Sequence, residues 1–271
     1  MSRTVAFIGA GNMARSIISG LVASGYPAAQ IIAANPSQGK LDALASEFGV
    51  QTTNDNLAAC EQAEVIVLGV KPQLMAQVCA PIAELDLSGK LALSIAAGVT
   101  CDSLQSYLGS DVALVRTMPN TPSLLGLGLT GLYAPAGVSQ VDRDFATELM
   151  AAVGETLWLE QEAQIDQVIA CAGSSPAYFF LFMEAMEQAA EKMGVTQADA
   201  RLMIQQAALG AAEMVKHNPQ LSLAELRAQV TSKGGTTAKA IETFEQQGLR
   251  NSVADAMNAA VERAQQMAKE F

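Results

Sequence analysis

Thr4-Val5-Ala6-Phe7-Ile8 runs directly into Gly9-Ala10-Gly11-Asn12-Met13-Ala14, after which Ile17, Ile18, Leu21 and Val22 recur at helical spacing. A short apolar run, a glycine turn and an amphipathic helix in this order form a dinucleotide-binding unit of the G-x-G-x-x-G/A type, with Ala14 as the third small residue. Gly9 permits the tight turn, Gly11 lets a pyrophosphate approach the backbone, and Ala14 lets the helix pack close to the strand. The next strand, Ile31 to Ala34, ends at Asn35-Pro36-Ser37, where an NAD-selective site carries an acid for the ribose 2′-hydroxyl. None is there. Asn35 and Ser37 are neutral donors able to take a 2′-phosphate, with Lys40 the nearest cation, so NADPH is expected in preference to NADH.

Further strands are expected at 64–70, at Leu91 to Ile95 and at Val112 to Thr117, with helical patterns at Leu74 to Ala83 and Cys101 to Leu108 between them. Alternation of this kind implies an α/β fold, a Rossmann-type doubly wound parallel sheet with right-handed crossovers, whose ligands lie beyond the C-terminal strand ends. Val70-Lys71-Pro72, Ala96-Ala97-Gly98 and Met118-Pro119-Asn120-Thr121-Pro122 are the segments placed to line that cleft.

The character changes at Leu159 to Ala163, beyond which almost everything reads as helix. The expected division is a dinucleotide-binding domain over 1–160 and an all-α domain over 161–271. Ser175-Pro176 opens a helix to Lys192 with Gly194 as its stop. Thr196 with Asp199 opens the next, which ends near Asn218-Pro219, and Ser222 with Glu225 forms a capping box. The first of these helices carries Tyr178, Phe179, Phe180, Leu181, Phe182 and Met183 in succession, so it is apolar on most sides and calls for enclosure. Homodimerisation through the helical domain is the expectation.

Within that domain Ser232-Lys233-Gly234-Gly235-Thr236-Thr237 precedes a helical run ending at Gly248. Two glycines bring the backbone close to a ligand, two threonines supply hydroxyls, and a helix opening here aims free N–H groups and its positive dipole end at whatever lies over the glycines. That suits a small carboxylate.

Composition removes several classes. At 271 residues and 50% hydrophobic the chain builds a full core, and 16 basic against 27 acidic residues, a net charge of −11, argue against nucleic acid and anionic membrane as partners. No apolar run is read as approaching the roughly 18 residues of a membrane span, and no signal peptide is read, so a cytoplasmic protein is expected. Cys60, Cys79, Cys101 and Cys171 are scattered, and His217 is the single histidine, so no metal site is expected. His217 at a helix end beside Asn218-Pro219 reads as a helix-end cation, and the phosphate loop G-x-x-x-x-G-K-[ST] is absent. Hydride transfer to a small acidic substrate is what remains.

Gly9-Ala10-Gly11-Asn12-Met13, Val70-Lys71-Pro72, Arg116-Thr117-Met118-Pro119-Asn120-Thr121-Pro122 and Gly173-Ser174-Ser175-Pro176-Ala177-Tyr178 together resemble pyrroline-5-carboxylate reductase, over essentially the full chain. Ser232 to Thr237 is similar to that family's S-P-G-G-T-T motif, with Lys233 in the place of its proline. The resemblance implies reduction of 1-pyrroline-5-carboxylate to L-proline, with NADPH or NADH as donor, by hydride transfer to C5 of the cyclic imine. It implies that the carboxylate rests on Ser232, Gly234 and the N–H groups of Gly235, Thr236 and Thr237, with the Thr237 hydroxyl at the ring nitrogen as a positioning and proton-relay group. Cofactor contacts fall to Gly9, Ala10, Gly11, Asn12 and Met13, to Asn35 and Ser37 at the ribose end, and to Asn56, Val70, Lys71, Pro72, Ala96, Ala97 and Gly98. Family members interlock as dimers, and some stack five dimers into a decamer.

Two other readings share parts of this pattern. A β-hydroxyacid dehydrogenase has a similar N-terminal unit but places a catalytic lysine on the first long helix of its helical domain, whereas the helix from Pro176 has lysine only at its far end, Lys192. A non-catalytic NADP sensor signalling through its helical dimer would consume no NADPH.

Overall fold

The computed structural model describes residues 2–109 and 112–270. Its strands are β1 (Val5–Ile8), β2 (Ile31–Ala34), β3 (Gln51–Thr53), β4 (Val65–Leu68), β5 (Leu91–Ser94), β6 (Ala113–Met118), β7 (Gly128–Tyr133) and β8 (Gly154–Trp158), in one sheet of order β3-β2-β1-β4-β5-β6-β7-β8. Between them run α1 (Asn12–Ala23), α2 (Gln38–Phe48), α3 (Asn56–Gln62), α4 (Met75–Ile82), α5 (Cys101–Leu108) and α6 (Gln140–Ala151). Every residue of β1, β2, β4 and β5 is buried. Near-continuous apolar strands of this kind are what a parallel sheet covered on both faces requires. Side chains alternate across it: Val5 and Phe7 join Ile17, Ile18 and Leu21 in one core, while Ala6 and Ile8 join Ile66, Leu68, Met75 and Ile82 in the other.

The sheet is parallel from β3 through β6, then departs from the all-parallel expectation, because β7 pairs antiparallel with β6. The connection over 119–127 is too short for a crossover, which takes about a dozen residues. Its short helical turn, Thr121–Leu125, simply reverses the chain. With α6 as crossover, β8 then returns parallel to β7.

After β8 come α7 (Gln164–Val168), a π-helical turn at Ile169–Gly173, and α8 (Ser175–Lys192), α9 (Gln197–His217), α10 (Leu223–Gln229), α11 (Thr236–Gln246) and α12 (Leu249–Glu270). The caps follow from the sequence: the Thr196 hydroxyl accepts from the Asp199 N–H, and Ser222 and Glu225 form a reciprocal box. Ser175 is itself the first helical residue of α8. Contacts divide the chain into two units, Met1–Ser174 with Ala260–Phe271, and Ser175–Ala259.

The second unit buries little of itself. Its core is Ala190, Ala200 and Ile204 with Met183 and Val195 against them, while Phe179, Phe180 and Leu181 are each about two-thirds exposed, at 67%, 64% and 65%. The helical stretch Gln164–Lys192 also corrects the expectation that no run nears the length of a membrane span. It has 29 residues and a mean hydropathy of 1.3 over its best window, only 11% of which is buried. The polar residues Gln167, Ser174 and Ser175 conceal this to inspection, but no charge stands between Asp166 and Glu184. By length and composition this is one helix apolar enough to cross a bilayer.

Candidate active site

The glycine turn has the geometry its residue types dictate. Gly9 has φ 102°, and a Cβ there would stand 2.8 Å from the Gly69 carbonyl oxygen, so conformation and space both demand glycine. Gly11 differs: its φ is −78°, ψ 177°, and a Cβ there would find only the Gly69 oxygen at 3.9 Å. The room above Gly11 lies over the start of α1, whose N-terminus has no side-chain cap. Unpaired N–H groups and an open cradle fit a pyrophosphate. Gly69, on which the turn closes, escaped the sequence reading. Its signal was a glycine ending the apolar strand Val65-Ile66-Val67-Leu68.

The Ala10 N–H donates to Asn35 Oδ1 at 3.1 Å, and the Asn54 amide donates to the Asn35 carbonyl at 2.9 Å. Asn35 is 8% exposed, so its side-chain oxygen serves to tie the glycine turn to the end of β2. Ser37 is exposed, is the N-cap of α2, and makes no side-chain cap bond there, which leaves its hydroxyl available. Asn56 is the first residue of α3, closed by Asp55 accepting from the Leu57 and Ala58 N–H groups. Val70, Lys71 and Pro72 follow β4, with Lys71 exposed, and Ala96, Ala97 and Gly98 follow β5, with Gly98 at φ 79°. Because β2, β1, β4 and β5 are neighbours, the segments after them share one rim of the sheet, the C-terminal one.

That rim is braced by hydrogen bonds made by Ser94, Thr117 and Asn120. The Thr117 hydroxyl donates to the Ser94 carbonyl at 3.0 Å, and the Ser94 hydroxyl accepts from the Ala96 N–H at 3.3 Å. Asn120, nearly buried, accepts from the Leu129 N–H at 2.9 Å and donates to the Ala172 carbonyl at 3.0 Å, holding the π-helical turn. Cys60, Cys79 and Cys101 are buried, and burial pushes each thiol up to about 12, far from a reactive thiolate. Cys171 is exposed. Among the described residues no group of three or more His, Cys, Asp or Glu is arranged to hold a metal.

Ser232 to Thr237 belongs to the other unit. Gly234 has φ 75°, and the Gly235 N–H donates to the Ser232 carbonyl at 3.0 Å, closing a turn. A Cβ on Gly235 would lie 2.6 Å from Ser232 Oγ, so the second glycine lets the serine hydroxyl fold over the loop. Gly235 is then the N-cap of α11, with no side-chain cap, and Thr236 and Thr237 open its first turn, both exposed. The loop therefore gathers a serine hydroxyl, two threonine hydroxyls and a bare helix N-terminus. His217 is 75% exposed and 3.3 Å from Glu213, at the end of α9.

Residues 162–267 match the family described as "Pyrroline-5-carboxylate reductase dimerisation", and residues 4–98 match "NADP oxidoreductase coenzyme F420-dependent". A pyrroline-5-carboxylate reductase of Vibrio alginolyticus is 55% identical over 99% of both chains. The solved structure of the Coxiella burnetii pyrroline-5-carboxylate reductase superposes with a TM-score of 0.94 at 42% identity, covering 99% of each chain. That of the Plasmodium falciparum enzyme with NADP bound does so with a TM-score of 0.87 at 26% identity, covering 98% of each. With a glycine-turn sheet unit, a helical unit carrying an open glycine-capped helix, and relatives this similar from end to end, the chain belongs to the pyrroline-5-carboxylate reductase family.

Proposed function

We propose that this chain reduces 1-pyrroline-5-carboxylate to L-proline, the last step of proline synthesis, with NADPH preferred and NADH as the alternative donor. The observation that carries the reading is the exposed N-terminus of α11, capped by Gly235 and flanked by Ser232, Thr236 and Thr237, in a chain 55% identical to a named reductase. When bound at the glycine turn, the nucleotide supplies the hydride that the C5=N carbon accepts.

The chain's own contribution is orientation. Ser232 Oγ, Gly234 and the N–H groups of Gly235, Thr236 and Thr237 hold the substrate carboxylate at the positive end of α11. The Thr237 hydroxyl then lies at the ring nitrogen. An unperturbed hydroxyl is a poor acid at neutral pH, so Thr237 positions the ring and relays a proton rather than driving the protonation. Gly9, Ala10, Gly11, Asn12 and Met13 take the pyrophosphate, Asn35 and Ser37 the ribose end, and Asn56, Val70, Lys71, Pro72, Ala96, Ala97 and Gly98 line the path toward the nicotinamide.

We place the domain boundary at 160/161. The matched span 162–267 supports it, while contacts divide the chain at Ser174. The working unit is a cytoplasmic homodimer, with a decamer of five dimers as the larger assembly. The apolar stretch Gln164–Lys192 lies inside the matched dimerisation span, which favours a second copy over lipid as its cover. NADPH absorbance with the cyclic imine, repeated with NADH and with hydroxyacids, tests the reading. Oxidation of NADPH by the imine is expected, and its absence with pure imine and folded protein ends the proposal.

A further inference from the structure

Arg116 interrupts the apolar strand β6, opposite Ser94 of β5, and is only 3% exposed. A cation so enclosed needs a partner. It finds Glu162, in the segment between β8 and α7, with Nη1 donating to Oε1 at 2.7 Å. The same carboxylate oxygen accepts the Cys101 N–H, also at 2.7 Å. Cys101 is the first residue of α5, and its amide is one that the helix cannot satisfy for itself. The Thr100 hydroxyl takes the Ser103 N–H at 3.1 Å, so a carboxylate 61 residues downstream supplies the rest of the cap.

What ends at Thr100 is the loop beginning at Ala96, assigned above to the cofactor. Its two ends are gripped by consecutive residues of one strand. Thr117 holds Ser94, whose hydroxyl holds the Ala96 N–H. Arg116 holds Glu162, which holds the Cys101 N–H. As a device for stability this pair is weak: Arg116 is buried and the Glu162 side chain 24% exposed, and such a pair roughly balances its own desolvation. As a clamp it is well placed, because a loop already pinned at both ends loses little freedom when a ligand seats on it.

We infer that Arg116 and Glu162 are positioning residues for the nucleotide: Glu162, held by Arg116, fixes the far end of the loop Ala96–Thr100 in its binding conformation. The inference rests on the functional reading above for the identity of the cofactor. Cys101→Pro deletes the bonded N–H and trades a buried thiol for a small apolar ring, at a helix position that proline favours and after a Thr100 already in the extended conformation proline asks for, φ −79° and ψ 162°, so its Tm is measured alongside. Glu162→Ala removes the acceptor, and Glu162→Gln keeps an acceptor oxygen. Calorimetry with NADPH on the full chain is expected to show Kd raised about tenfold in Cys101→Pro and Glu162→Ala, as when the unpinned loop holds its binding conformation only about one time in ten. Glu162→Gln keeps the acceptor but withdraws the charge that Arg116 faces, so its Kd should fall between wild type and Glu162→Ala, with kcat at saturating NADPH and KM for the imine unchanged throughout. If Glu162→Ala does not fold, Cys101→Pro decides. An unaltered NADPH Kd in Cys101→Pro overturns the inference, as does a parallel rise in the KM for the imine. Wild-type protein that binds NADPH with this pattern of variants yet leaves the imine unreduced would sink the proposed reaction and leave the clamp standing.

Discussion

Gly11 and Gly235 hold the same backbone conformation, φ −78° and ψ 177° in one, φ −79° and ψ 171° in the other, and each is the N-cap of a helix that no side chain closes. The helices after Asp55, Thr100, Ser139, Thr196 and Ser222 are closed by those residues' own side chains. A glycine in place of a capping side chain forgoes about a few tenths of a kcal/mol, and the unpaired N–H groups are then available to an anion. α2, α4 and α7 also lack a side-chain cap, but their N-caps are Ser37, Leu74 and Ala163; one glycine-capped terminus of this conformation lies in each unit, as the two anionic parts of the proposed reaction, a pyrophosphate and a carboxylate, would require.

The two glycines of the N-terminal turn should fail differently. Gly9→Ala combines a positive φ with a Cβ 2.8 Å from a carbonyl oxygen, so a loss of about 1–3 kcal/mol in stability is expected, read as a lower Tm. Gly11→Val meets nothing nearer than 3.9 Å at its Cβ and needs no unusual φ. It should melt like wild type while losing NADPH affinity in calorimetry. Retained affinity in a folded Gly11→Val protein would remove the pyrophosphate from this turn.

At the other terminus, Thr237→Ala should lower kcat/KM for the imine by about 1–3 kcal/mol, the range for one hydrogen bond to a charged or developing charge. Gly235→Ala drives a Cβ to 2.6 Å from Ser232 Oγ and should raise the KM for the imine by displacing that hydroxyl. Neither residue is assigned a nucleotide contact in the proposed reaction, so the NADPH Kd should stay at wild type. A loss confined to nucleotide affinity would contradict the assignment of this loop to the substrate.

Ser37 opens α2 without using its hydroxyl as a cap, while Asn35 Oδ1 is committed to the Ala10 amide. On the proposed reading, discrimination at the 2′-position falls mainly on Ser37. Ser37→Glu places a carboxylate where a 2′-phosphate would be repelled and a ribose 2′-hydroxyl accepted. The ratio of kcat/KM for NADPH over NADH should fall, and an unchanged ratio would move the 2′-phosphate elsewhere.

Most of the parallel half of the sheet was legible because β1, β2, β4 and β5 are buried on both faces and so read as unbroken apolar runs, whereas β3, three polar residues none of them buried, escaped. β7 and β8 escaped because each begins at a glycine: a Cβ on Gly154 would stand 2.0 Å from the Gly128 oxygen, a close approach that propensity reads as a turn. The Thr196 cap of α9 and the capping box of α10 depend on residues three apart and could be read directly. The bracing of the cofactor rim could not. Glu162 meets Cys101 and Arg116 across 61 and 46 residues, and only the buried arginine in β6 hinted that some acid must reach it.

The exposed face of α8 offers the last test. Phe179, Phe180 and Leu181 are 67%, 64% and 65% exposed in the single chain and, being consecutive, spread apolar surface around α8, while the unit that carries them buries few apolar residues of its own. If a second copy covers this face, Phe180→Glu sets an unpaired carboxylate in a desolvated contact, a penalty of several kcal/mol that falls on association rather than on the chain's own packing. Sedimentation at micromolar protein should find wild type as a dimer or a multiple of dimers and Phe180→Glu shifted toward monomer, with a lower and concentration-dependent Tm. A wild-type chain that sediments as a stable monomer, or a Phe180→Glu protein whose mass and Tm match wild type, would show that this face is not where two copies meet.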